Sequence, residues 1–149
     1  MTTDPPVVAA ARAWIGTPYL HGASRRGAGC DCLGLVRGLW REIHGPEPVP
    51  VPPYTPDWSE PQGEERLWEA CARLLPPGRG GVGDLLLFRI RPGAVAKHLG
   101  LQSRAGDVPA FIHAHSGAGV VESPLSAPWA ARIVARFDLQ HGSAPAWRP

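Results

Sequence analysis

One cysteine of this chain stands where a helix is expected to begin. Apolar residues recur with helical spacing and stop before Gly45-Pro46: Leu35, Val36, Leu39, Trp40 and Ile43. This pattern predicts a helix from about Cys32 to His44. At the first turn of a helix, unpaired backbone N–H groups and the positive end of the dipole favour a thiolate, the form of cysteine that attacks carbonyl carbons. Cys32 is therefore the predicted nucleophile.

Two later segments supply histidines that can serve as a base for this thiol. His98 and His113 each lie in a short apolar run bounded by turn-forming residues, and the polar loop 103–109 joins the two runs. A hairpin of two strands would bring the imidazoles together, so that one takes the Cys32 proton while the other orients the first. By strand alternation His115 shares a face with His113, and it is the second candidate for the orienting residue.

The remaining cysteines carry weaker signals. Cys30 and Cys32 with His21 would be the members of a metal cluster, but a Cys-x-Cys without a second pair does not match the spacing of zinc sites. No metal and no other cofactor is predicted. Cys71 falls in a helical stripe of apolar residues and is interpreted as a core residue. The odd number of cysteines favours free thiols over a disulfide framework.

The order of these residues resembles the NlpC/P60 family of papain-like peptidases. That family has an Asp-Cys-x-Gly-[Leu/Phe]-Val box, then a His-[Val/Leu]-Gly strand and an Ile-His-Ala strand, which match residues 31–36, 98–100 and 112–114. Residues 16–22 are similar to its Gly-x-x-Tyr-x-x-Gly segment, and residues 83–86 to its Gly-Asp-[Leu/Val] strand start. The resemblance runs from about residue 10 to about residue 125.

The resemblance implies a role for each matching residue. Cys32 is the nucleophile, His98 the general base and His113 the third polar residue, which orients the base. The hydroxyl of Tyr19 supports the oxyanion together with a backbone N–H near Cys32, and one such donor is worth roughly 3 kcal/mol in rate. His115 is expected to act from behind these groups unless it is itself the orienting residue.

Two positions beside the nucleophile complete the comparison. Asp31 is expected to support the site from behind Cys32. Leu33 stands where members of the family often have Ser, and only a packing role is predicted for it.

The same resemblance implies a substrate and a setting. Members of the family hydrolyse peptidoglycan stem peptides, most often between γ-D-glutamyl and a diamino acid. The segment 111–128 resembles the branch encoded beside tail genes of phages and gene transfer agents. These features predict a cysteine peptidase at a phage-like tail tip, acting at the bacterial cell wall, with tail or baseplate proteins as partners. The alternatives are a structural tail component with little activity, and a thiol acyltransferase or amidase on the same scaffold.

Helix signals precede strand signals along the chain. A first helix is expected to begin at a Thr3 or Asp4 cap and to end before Gly16. Strands are predicted at 84–90, 96–102, 110–115, 119–122 and 132–139. This order favours an α+β domain, and the resemblance implies a papain-like arrangement of N-terminal helices on an antiparallel sheet.

A proline-rich segment, residues 46–63, separates the central helices. Its proline density excludes a helix or an inner strand and predicts an extended loop. Tyr54 and Trp58 give this loop apolar anchors. It is expected either to pack along the domain surface or to form a groove wall or docking arm.

Length and composition limit the classes of function. The chain has 149 residues, 44% of them apolar, and a formal net charge of +2. This length suits one domain, predicted for residues 1–141, followed by a tail at 142–149. The charge is too small to predict nucleic-acid binding, and no apolar run approaches the length of a membrane span. Residues 1–6 lack the basic and apolar regions of a signal peptide.

Overall fold

The computed structural model describes residues 4–51, 54–55 and 63–141, and within them the fold is α+β. The helices are α1 (Pro6–Arg12), α2 (Cys32–His44), α3 (Arg66–Leu74) and α4 (Ala127–Ala130). The strands are β1 (Ser24–Arg25), β2 (Gly29–Cys30), β3 (Asp84–Phe88), β4 (His98–Arg104), β5 (Ala110–His115), β6 (Gly119–Pro124) and β7 (Ile133–Asp138). Strands β3 to β7 form an antiparallel sheet in the order β6-β5-β4-β3-β7. The predicted fold class is confirmed.

One face of this sheet carries the main core, against which α1 and α2 pack. Leu35 and Leu39 of α2 are almost fully buried, and they meet Leu99 and Leu101 of β4 in the same cluster. Removing each such side chain from water contributes about 1.5–3 kcal/mol. The helical spacing of α2 and the alternation of β4 therefore meet along one apolar layer, which sets the position of α2 on the sheet.

The opposite face of the sheet holds a second, smaller cluster. It consists of buried Leu86, Phe88, Phe111 and Leu125, with the partly buried Trp129 and Ile133 packed against it. Strand alternation places the odd-numbered residues of β5 on this face, so His113 and His115 lie on the same side as Phe111.

Several strand ends differ from the predicted ones by one or two residues. Two differences near chain positions 4 and 96 have a local cause. The strand predicted at 96–102 begins only at His98, because the backbone N–H of Ala96 bonds Oε1 of Glu65 at 2.8 Å instead of a neighbouring strand. The predicted cap at Asp4 is wrong: Pro5 is the N-cap residue, and the Asp4 carboxylate pairs with Arg12 at 2.7 Å. The Val7 N–H in the first turn of α1 donates instead to Oε1 of Gln140 at 3.0 Å. The alternative cap, Thr3, lies outside the described residues.

Part of the proline-rich segment packs against the domain. Pro46 accepts a hydrogen bond from the indole of Trp40 at 2.9 Å, and Glu47 pairs with Arg37 at 2.7 Å and Arg41 at 3.1 Å. Trp58 and the tail at 142–149 lie outside the described residues. Across the ranges that are described, no helix is both long and apolar enough to cross a bilayer.

Candidate active site

Cys32 is the first residue of α2, and the Asp31 side chain caps this helix. Oδ1 of Asp31 accepts a hydrogen bond from the Gly34 N–H at 2.7 Å, and Oδ2 accepts one from the Gly22 N–H at 2.7 Å. The side chain is buried, at 3% exposure for the residue. Asp31 therefore ties the start of α2 to the preceding segment and holds the cysteine backbone in position.

The glycine two residues after Cys32, Gly34, is required by a close approach of two backbones. A Cβ on Gly34 would lie 1.8 Å from the carbonyl oxygen of Ala23. No other residue type fits there without moving the chain. The spacing of the Asp-Cys-x-Gly box thus has a packing reason as well as a chemical one.

The structure brings His98 and His113 together across β4 and β5. Nε2 of His98 lies 2.8 Å from Nδ1 of His113, and the two ring centroids are 5.0 Å apart. A Cβ on Gly100 would lie 2.7 Å from the Phe111 ring and 3.3 Å from Cβ of His113. The glycine of the His-Leu-Gly box keeps side-chain atoms out of this crowded space beside His113.

Ser123 extends this contact by one residue, and sequence reasoning missed it. Its Oγ lies 2.9 Å from Nε2 of His113. In the β5–β6 register Ser123 pairs with Phe111, so it is the diagonal neighbour of His113 on the same face. The alternation of the segment 119–124 could have placed Ser123 on that face, but the register was needed to place it beside His113.

His115 occupies the exposed end of β5. Its ring centroid lies 5.5 Å from that of His113, and the residue is exposed. The ring that lies against His98 is that of His113. Trp129 covers this group from α4, with its centroid 5.6 Å from His98 and 5.4 Å from His113. The histidine pair therefore sits in aromatic surroundings.

These surroundings keep both paired histidines neutral near neutral pH. The pKa of His98 is lowered to about 4, mainly by burial and in addition by the charge of His115. Burial also lowers the pKa of His113 to about 3, with added repulsion from His98 and His115. A neutral imidazole has one nitrogen that donates and one that accepts. Because Nε2 of His98 is engaged by His113, Nδ1 of His98 is the nitrogen left for the thiol.

Burial opposes the ionisation of Cys32 that the start of a helix favours. The pKa of the Cys32 thiol is raised to about 11, mainly by burial and in addition by the Asp31 carboxylate. These effects outweigh the lowering of the pKa by the Leu99 N–H. The thiol donates to the carbonyl oxygen of Lys97, with Sγ and the oxygen 3.4 Å apart. The cysteine is neutral at rest, so the helix N-terminus alone does not ionise it, and a base is needed.

A cleft in the described part of the chain contains the predicted nucleophile, Cys32, and the predicted base, His98, together. Its walls are Tyr19, His21, Asp31, Cys32, Leu33, Tyr54, Ile90, Lys97 and His98. Burial raises the pKa of Tyr19, as does the charge of Asp31, so the phenol stays protonated and can donate a hydrogen bond. The predicted oxyanion donor thus lines the same cleft as the predicted nucleophile.

The proline-rich segment reaches this cleft through Tyr54. Its hydroxyl donates to Oδ2 of Asp31, and its carbonyl oxygen lies 2.7 Å from Nε2 of His21. The rings of His21 and Tyr54 meet edge to face at 5.0 Å. Tyr54 therefore forms part of the wall of this cleft, which is one of the roles expected for the proline-rich loop.

The other cysteines are placed away from this chemistry. Cys30 and Cys71 are free and buried, and burial raises the pKa of each thiol to about 12. The His21 ring contacts Tyr54 and not a cysteine cluster. Among the residues the structure describes, no group of three or more His, Cys, Asp or Glu side chains is arranged to hold a metal ion.

Known proteins are similar to this chain in sequence and in fold. It is 31% identical over 140 residues, 92% of its length, to the gamma-DL-glutamyl hydrolase of Bacillus subtilis strain 168. A lipoprotein-like protein of the NLP/P60 family from Staphylococcus aureus subsp. aureus Mu50 superposes with a TM-score of 0.57 at 18% identity over 95% of the chain. The NlpC/p60 domain of the peptidoglycan hydrolase SagA superposes with a TM-score of 0.52 at 24% identity over 89% of the chain. No family model matches.

The relatives differ in how much of their own length is matched. The chain spans 30% of the glutamyl hydrolase and 44% of the staphylococcal protein, but 96% of the SagA domain. What the two solved structures share with the chain is the NlpC/P60 fold.

Proposed function

We propose that this chain, an NlpC/P60-type domain by its fold and its sequence match, is a cysteine hydrolase of peptidoglycan stem peptides. The observation that carries the proposal is the common cleft of Cys32 and His98, with His113 held against the far nitrogen of His98. A thiol, a base and an orienting group in that order are the parts of a cysteine hydrolase. The description of the SagA domain as part of a peptidoglycan hydrolase supports the substrate.

The proposed reaction begins with transfer of the Cys32 thiol proton to Nδ1 of His98. The thiolate sulfur attacks the scissile carbonyl carbon, and the carbonyl oxygen becomes an oxyanion beside the Tyr19 hydroxyl and the backbone N–H near Cys32. His98 then gives its proton to the leaving amine, and a thioester forms on Cys32. Water attacks this thioester with His98 again as base, which releases the carboxylic acid and restores the thiol. These reaction steps start from a neutral Cys32 thiol and a neutral His98 imidazole, as in the resting site.

The bond we propose is that between γ-D-glutamyl and a diamino acid of the stem peptide. Support comes from the name of the Bacillus relative, which is a hydrolase of γ-DL-glutamyl bonds. In both cases the attacked carbonyl belongs to the side chain of a glutamyl residue.

Digestion of purified peptidoglycan, with mass spectrometry of the released fragments, tests the proposal. We expect fragments that begin at the diamino acid, none from Cys32→Ala, and near-normal yield from Cys30→Ala, whose thiol lies outside the cleft. Products in which an added amine has replaced water would favour the acyltransferase alternative. Intact peptidoglycan with the wild-type chain would contradict hydrolysis and favour the structural tail component.

We also propose that the domain acts at the cell wall as a part of a phage-like tail tip. The support for this setting is the resemblance of the segment 111–128 to tail-encoded peptidases. Purified particles should contain the chain together with tail or baseplate proteins, as detected by mass spectrometry. Particles that lack it would contradict this setting and leave the hydrolase proposal unchanged.

A further inference from the structure

The paired histidines end on a hydroxyl group that has no assigned role. Nε2 of His98 meets Nδ1 of His113 at 2.8 Å, and Nε2 of His113 meets Oγ of Ser123 at 2.9 Å. Three side chains from three neighbouring strands therefore form one line of hydrogen bonds that leads to the cleft.

Two proton arrangements satisfy this line when both imidazoles are neutral. In the first, His98 donates from Nε2 to His113, and His113 donates from Nε2 to Ser123. In the second, Ser123 donates to Nε2 of His113, and His113 donates from Nδ1 to His98. Only the first leaves a lone pair on Nδ1 of His98, because in the second that nitrogen carries the proton. A base at His98 requires the first arrangement.

We propose that Ser123 is a positioning residue, which accepts the Nε2–H of His113 and so holds the Nδ1 lone pair of His113 towards His98. The inference deepens the proposed function and rests on it for its catalytic meaning. His113 needs Ser123 as an acceptor because its ring is buried among other aromatic rings. Its ring lies 4.1 Å from that of Phe111 and 5.4 Å from that of Trp129, centroid to centroid, and the residue is 1% exposed. Without Oγ of Ser123, the Nε2–H of buried His113 has no acceptor in the first arrangement. The lost hydrogen bond disfavours that arrangement relative to the second.

The reaction itself strengthens the first arrangement. When His98 takes the thiol proton it becomes an imidazolium, and its Nε2–H then makes a charge-assisted bond to Nδ1 of His113. Neutral His113 can accept this bond only if its own proton is on Nε2, where Ser123 receives it. Ser123 thus acts on the base through His113 and does not touch the substrate.

Nitrogen-15 NMR of the imidazole rings tests the assignment without any substrate. In the wild type we expect His113 as the Nε2–H tautomer, and in Ser123→Ala a population shifted towards Nδ1–H. Ser123→Thr keeps the hydroxyl and should keep the wild-type tautomer. A wild-type His113 protonated on Nδ1, or an alanine variant with an unchanged tautomer, would overturn the proposal. If Ser123→Ala does not fold, the wild-type and threonine spectra decide the question.

Kinetics on the stem-peptide substrate form the second arm. Ser123→Ala should lower kcat on the order of tenfold, a part of the 10² to 10⁴ that a general base contributes, with KM little changed. The matched control is Ser103→Ala, which removes a buried hydroxyl bonded to Glu122 on the same sheet. An equal loss in both variants would overturn the assignment to His113. A wild-type chain without hydrolysis but with the expected tautomers would contradict the proposed function and leave the role of Ser123 standing.

Discussion

At the scale of single residues, the neutral state of Cys32 determines how the thiol should react. Its pKa is raised to about 11, and those of Cys30 and Cys71 to about 12. Cys32 is partly exposed in the cleft, whereas the other two are buried. We expect iodoacetamide to label Cys32 first, with a rate that rises about tenfold per pH unit above neutrality as the thiolate fraction grows. Peptide mass spectrometry measures this order, and faster labelling of Cys30, or a rate already constant at neutral pH, would contradict it.

The histidines should differ in their contributions to rate. His98→Ala removes the proposed base and should lower the hydrolysis rate by about a hundredfold or more. His113→Ala removes the group 2.8 Å from the base and should cost less, and His115→Ala, at the exposed end of β5, should cost least. Steady-state kinetics of the three variants give the ranking. A larger effect of His115 than of His113 would make His115 the orienting residue.

Buried His113 should also make stability depend on pH. Burial lowers its pKa to about 3 from an ordinary value of 6.5, so the unfolded chain takes up this proton first as the pH falls. The contribution of His113 to the free energy of unfolding is fully present above about pH 6.5. Below that pH the free energy of unfolding decreases by at most about 1.4 kcal/mol per pH unit for this residue. Urea unfolding between about pH 7 and pH 5 measures the slope. His113→Gln should reduce the slope and leave the part that comes from buried His98, whose pKa is also lowered, to about 4. An identical slope in that variant would refute the assignment.

At the scale of elements, the start of α2 depends on the contact between Gly34 and Ala23. Gly34→Ala places a Cβ 1.8 Å from the Ala23 carbonyl oxygen, and relief requires the helix start, with Cys32, to move. We expect a loss of about 1–3 kcal/mol in the free energy of unfolding, together with a loss of activity.

The matched control for this change is Gly81→Ala. Gly81 has no neighbouring atom within 4 Å of its added Cβ, and its φ is not positive. The melting temperature of the Gly81→Ala variant, measured by calorimetry, should stay near that of the wild type, whereas that of Gly34→Ala should fall. A Gly34→Ala variant as stable as the control would mean that the helix start tolerates displacement.

At the scale of the whole molecule, the assembly proposal needs variants that spare the domain. Removal of all of residues 46–63 would delete Glu47, which pairs with Arg37 and Arg41, and the carbonyl of Pro46 that receives the Trp40 indole. Such a deletion would disturb α2 as well as any docking contact. Trp58→Ala and truncation after His141 avoid these contacts.

We expect both variants to keep the wild-type melting temperature and to be depleted from purified particles. Proline-rich segments suit docking because they lose little entropy on binding. Val108→Ala changes an apolar residue that is 70% exposed and serves as the surface control, which should remain in the particle. Full retention of the Trp58 and truncation variants would remove both segments from the proposed contact.

Much of this fold can be predicted from residues that lie close together in the sequence. The bounds of α2, Cys32–His44, follow from its helical stripe and the Gly45-Pro46 stop. The meeting of His98 and His113 follows from two apolar runs separated by one short loop, because a hairpin leaves few other arrangements. These are consequences of residues close together in the chain, which is why spacing alone predicts them.

Only the tertiary structure determined the protonation state of Cys32 and which distant residues contact the site. The pKa of Cys32 depends on how deeply its sulfur is buried, and that burial comes from residues distant in sequence, which overrode the effect expected of the helix N-terminus. Tyr54 reaches Asp31 from a loop, and Ser123 reaches His113 through strand register. Neither contact leaves a pattern in the sequence, because each depends on where separate segments meet in space.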